Sequence, residues 1–130
     1  MKTLKTLKLT TDRTMEELEL PNTLEALQHH VEGYIEMPYL SKRLHELDID
    51  MVINDEGKLI GMEPTLAILQ GHKVVEVICG PILFVSHDNR GNTISLNDTQ
   101  IEYLKRTVFQ AESVLIMTGN TPYVVKYLEV

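Results

Sequence analysis

The sequence predicts an α+β fold: a mostly antiparallel, hairpin-connected sheet with two main helices packed on it, in a single domain over residues 1–130. Three observations predict it. Apolar or alternating runs of strand length recur along the chain. Two of them lead into glycine-closed turns, Asn54-Asp55-Glu56-Gly57 and Asp88-Asn89-Arg90-Gly91, which suit tight reversals. Only the stretches opening at Asn22 and Asn97 combine capping residues with helical apolar spacing.

Thr3 to Thr10 and Met15 to Leu20 read as two strands joined by a turn at Asp12-Arg13. Asn22 is an N-cap candidate, with Glu25 three positions on in capping-box spacing. Leu24, Leu27 and Val31 form the apolar stripe of this helix, and Gly33 ends it. Tyr34 to Met37 alternates as a strand that Pro38 interrupts or places at an edge. Residues 41–47 are compatible with a helical turn. Ile49, Met51 and Ile53 then mark one face of a strand, with Asp48, Asp50 and Asn54 on the other.

Beyond the Asn54 turn, Lys58 to Met62 is the expected returning strand, and Pro64 opens a short helix that runs through Leu69 and closes at Gly71. Val74 to Cys79 reads as a buried strand, broken at Gly80-Pro81 and continued by Ile82 to Ser86. Thr93 to Leu96 follows the second turn. Asn97 with Gln100 caps a helix whose apolar side is Ile101, Leu104 and Val108. Val114 to Met117 and Tyr123 to Leu128 close the chain as a strand pair. Tyr123 and Tyr127 share a face there, and this terminal edge is a natural pairing surface for a second copy, so a homo-oligomer is expected.

A net charge of -7 argues against direct nucleic-acid binding, which needs a cationic surface. Residues 21–60 hold eight acids against three bases, a balance of -5. No apolar run is long enough to span a membrane, the basic start lacks the apolar stretch of a secretory signal, and one cysteine fits a reducing compartment. The expected location is therefore cytoplasmic.

Four motifs in order, Asn22 to Gln28, Val31 to Glu36, Asn54 to Leu59 and Cys79 to Ile82, resemble the "domain of unknown function 3846" family over roughly residues 3–105. Members are carried by bacteria, phages and plasmids, so the resemblance implies a mobile-element setting, in the host cytoplasm if the protein is phage-encoded. It implies no activity and no catalytic residue.

Few constellations carry chemistry. Cys79 lies in an apolar run without a basic neighbour and reads as a core residue. Ser86, His87 and Asp88 are the right types for a triad, but neighbours on a strand point to opposite faces. His29, His30 and Glu32 match no zinc template, and Asp48 with Asp50 lack a third nearby acid, so no metal and no cofactor is expected.

The strongest ligand candidates sit beside glycines. Tyr34 offers a stacking ring, Lys58 and Arg90 can neutralise a phosphate, and Gly80 lets a backbone approach closely. With Glu36 and Asn54 they form the expected ligand-binding set. The sequence thus points to a phage-type accessory protein that sequesters a small nucleotide-like ligand without catalysis, countering host defence. The alternatives are an acidic protein–protein inhibitor or DNA mimic whose partner is a host defence enzyme, and a metal-dependent hydrolase using Asp48 and Asp50.

Overall fold

The computed structural model describes residues 3–109 and 113–130. The fold is α+β, with mostly antiparallel strands in two sheets and two main helices. Sheet one takes β1 (Thr3–Leu9), β2 (Met15–Pro21), β3 (Ile35–Glu36), β4 (Ile49–Asn54), β7 (Ile82–His87) and β8 (Thr93–Ile94). Its order is β2-β1-β7-β4-β3, with β8 also on β7. Sheet two takes β5 (Pro64–Gln70), β6 (Lys73–Cys79), β9 (Val114–Thr118) and β10 (Thr121–Glu129), in the order β6-β5-β10-β9. All pairs are antiparallel except β5 with β10, which run parallel. The helices are α1 (Leu24–Val31), α2 (Lys42–Glu46) and α3 (Asp98–Leu104), the last continuing into a π-helical turn over Lys105–Phe109. None of the described helices is long and apolar enough to cross a membrane.

One face of sheet one contributes Leu7, Met51 and Phe84 to the largest core, where they meet Leu66, Ile68 and Leu128 of sheet two and Ile101, Leu104 and Val108 of α3 and its extension. The opposite face of sheet one buries Leu4, Val52, Leu83 and Val85 under Leu27 and Val31 of α1. β4 and β7 are therefore apolar on both sides, as central strands must be.

Local chemistry explains several boundaries. Asn97 and Gln100 form the expected capping box: each side chain accepts from the other's backbone N–H, at 2.9 and 2.8 Å. The cap of α1 is Thr23, whose hydroxyl accepts from the Ala26 N–H; Asn22 instead donates its amide to the Thr93 carbonyl. That long-range bond draws Asn22 away from the helix. Residues 41–47 settle as α2, capped by Ser41. The left-handed residue that ends α1 is Glu32, at φ 63°, and not Gly33.

Two expected elements differ. Pro64–Gln70 is a strand, not a helix: the run is buried on both faces between β6 and β10, and periodicity alone does not separate such a strand from a short buried helix. Pro64 occupies its first position, where a missing N–H is tolerated. Lys58 to Met62 forms no returning strand. Both edges of β4 are already taken, by β7 and β3, so a hairpin partner has nowhere to pair. The segment coils instead, with Ile60 N–H donating to Glu56 O and Met62 N–H to Gly57 O.

Candidate functional site

The coil after β4 folds over the end of β6 and, with Glu36, Pro38 and Leu40, lines a half-open cavity of about 310 Å³. Its apolar wall is Pro38, Leu40, Ile53, Leu59, Val77 and Ile78; its polar groups include Glu36, Asp55, Glu56, Lys58 and Glu76. Two close approaches build it. Gly57 lies so near the Cys79 carbonyl that a Cβ there would come within 2.3 Å of the oxygen, which leaves room for glycine alone. At the other end, Asn54 is buried, accepts from the Glu56 N–H at 2.8 Å and donates to the Val31 and Glu32 carbonyls at 3.0 and 3.2 Å. It thereby satisfies two carbonyls at the C-terminal end of α1 and starts the coil. Gly33 is required beside it, since a Cβ at that position would meet the Asn54 amide nitrogen at 2.6 Å.

Four carboxylates face one ammonium in the lining, a balance of -3. Lys58 is already paired with Glu76, and that hydrogen bond, aided by the Val77 N–H, holds the Glu76 carboxyl below its usual range. Cys79 also lines the cavity; burial pushes its thiol up, so it stays protonated at neutral pH and is a poor nucleophile.

The residues expected from the sequence to bind ligand fall into three groups. Glu36, Asn54 and Lys58 line the cavity together. Tyr34 and Gly80 adjoin it without lining it. The Tyr34 ring is 73% exposed, while its carbonyl accepts from Asp55 N–H; Gly80, at φ 95°, donates its N–H to the Glu63 carbonyl. Arg90 lies in the turn beyond the opposite end of β7, about 17 Å of strand away at ~3.3 Å per residue. Its N–H donates to Asp88, and it takes no part in the cavity. The sequence did not single out Glu56 or Glu76; β6 brings Glu76 in through sheet pairing that no local pattern announces.

A second polar cluster sits at the far end of β4 and β7. His87 donates through Nδ1 to Asp50 Oδ2 at 2.8 Å, and its Nε2 is 3.4 Å from Asp48 Oδ1. Ser86, buried, donates to the Asp48 carbonyl and lies 3.0 Å from the Gln100 amide. Ser86, His87 and Asp88 are thus not coupled to one another as a triad. Among the described residues, no three His, Cys, Asp or Glu side chains are grouped to hold a metal ion.

The hydrogen bond to Asp50 raises the His87 pKa above its usual 6.5, outweighing burial, with further help from the charges of Asp48 and Asp88. The folded pKa exceeds the unfolded one, so this stabilisation is complete below pH 6.5 and fades as pH rises through the folded value. An NMR titration should place the His87 midpoint above 6.5, and Asp50→Asn should return it toward that value. A wild-type midpoint at or below 6.5 would contradict the pairing.

The family model described as "Domain of unknown function (DUF3846)" matches residues 4–108. The chain belongs to this family. No curated protein and no solved structure matches the chain. The DUF3846 match ends within the π-helical extension of α3, so β9 and β10 lie outside it, although β10 completes sheet two by pairing with β5.

Proposed function

We propose that this DUF3846 protein is a non-catalytic binding protein that holds a small nucleoside-like molecule in the cavity beneath the 55–62 coil. The observation that carries this reading is a hollow of about 310 Å³ with an apolar wall and four carboxylates against one lysine. Its volume lies at the lower end of the roughly 300–1,000 Å³ typical of ligand sites. An apolar wall takes the flat body of a base, and carboxylates accept hydrogen bonds from its amino and ring N–H groups.

The charge refines the ligand expected from the sequence. A phosphate would meet a balance of -3, its one cation already engaged by Glu76 and Arg90 remote. The favoured ligands are therefore nucleosides or cationic amidines, not phosphorylated nucleotides. Holding such a molecule suits the sequestering role expected of a mobile-element accessory protein. The acidic-inhibitor reading gains less, because five of the eight acids of residues 21–60 are split between this cavity (Glu36, Asp55, Glu56) and the His87 cluster (Asp48, Asp50), at opposite ends of β4.

Calorimetry and thermal shift with guanosine, adenosine, cytidine, their 5′-monophosphates and agmatine test the proposal. At least one nucleoside or agmatine should raise the melting temperature, and any nucleoside that binds should bind more tightly than its 5′-monophosphate. Glu36→Gln should weaken binding by about tenfold, as for loss of one charge-assisted hydrogen bond. Stabilisation by none of these, or tighter binding of the monophosphates, would remove the idea.

A further inference from the structure

We propose that the outer edge of β9 is a self-association site, where a second copy of this chain pairs antiparallel with Leu115 opposite the partner's Met117. This is independent of what the cavity holds.

Residues 113–125 contain no charged side chain, whereas a chain that is 24% charged would carry about three in thirteen positions. A contact related by a two-fold axis brings each patch against its own copy, so any charge there meets its like; a charge-free segment is self-complementary. β9 ends sheet two, and among the described residues no strand pairs with its outer side. The hairpin presents Leu115, Met117 and Val124 on one face, 68%, 59% and 57% exposed.

The backbone makes the edge specific. Pro122 lies opposite Met117 and has no N–H, so this pair is the non-hydrogen-bonded type. Such pairs alternate along an antiparallel ladder, which makes Leu115 with Val124 the next one. Leu115 and Met117 therefore turn their own N–H and C=O groups outward. A two-fold axis through Ile116 sets Leu115 against the partner's Met117, and each donates to and accepts from the other. Four hydrogen bonds result, and the two four-stranded sheets merge into one.

The other edges are unsuited to self-pairing. β2 carries Glu16, Glu17 and Glu19, and β3 and β8 are each two residues long. β6 carries Lys73 and Glu76 and is interrupted by two register shifts, a feature that protects sheet edges.

Sedimentation velocity on the full chain in the micromolar range tests this. The wild type should sediment as a dimer. Met117→Pro removes an outward N–H that β10 does not use, so it should weaken dimerisation at least about tenfold with an unchanged circular dichroism spectrum. Should that variant unfold, Leu115→Lys decides, because it places a charge on the edge without touching the ladder. A Val75→Lys control on β6 should stay dimeric. A monomeric wild type, a dimer that survives Leu115→Lys, or one lost only with Val75→Lys would overturn the proposal.

Discussion

Replacing Phe84 by alanine is expected to destabilise the fold by about 3–5 kcal/mol, as for other fully buried aromatic truncations. Phe84 is completely buried at the centre of β7, opposite Leu7 of β1 and Met51 of β4. Its ring meets Phe109 edge-on, with centroids 5.9 Å apart. The truncation would therefore open a void where sheet one meets the helical extension, and strands hydrogen-bonded on both sides cannot collapse into it. Since domains of this kind are stable by only about 5–15 kcal/mol, much of the margin goes with one side chain. Urea unfolding should show a lower midpoint at an unchanged slope. A loss under about 1 kcal/mol would mean that the core is not packed as described.

Asn54→Asp should be the most damaging change near the cavity, at about 3 kcal/mol, and worse than Asn54→Ala. The amide donates to two helix-end carbonyls, and a carboxylate would turn acceptor against acceptor in a buried site. Alanine merely leaves those carbonyls and the Glu56 N–H without their partner. Denaturation of both variants checks the order, and hydrogen exchange at Glu56 should quicken in Asn54→Ala, which alone removes the acceptor of that N–H. Equal stability of wild type and Asn54→Asp would show that the latch between α1 and the coil contributes little.

The same residue shows how far the site could be read from sequence. Asn54 and Gly57 mark a turn in the sequence, and Glu36 and Lys58 join the expected set as polar residues near glycines; these do share a hollow. The turn opens a coil and no hairpin, because hairpin chemistry needs a free edge and β4 has none. Arg90 sits in a turn of similar composition, and only the antiparallel pairing of β4 with β7 sends it to the opposite end of the sheet. Glu76 reaches the cavity across sheet two, eighteen residues from the lysine it pairs with.

What the sequence alone determined is what short-range chemistry controls: the capping box of α3, the first hairpin, the strand character of β4, β6 and β7, the α+β class and the family. Tertiary structure decided the rest. Pro64–Gln70 became a strand because neighbours on both sides supplied its backbone partners, and the first cap of α1 moved by one residue for a bond spanning 71 positions. Backbone groups and charges take their partners from whatever the fold brings within reach, and a linear pattern of side chains does not contain that distance.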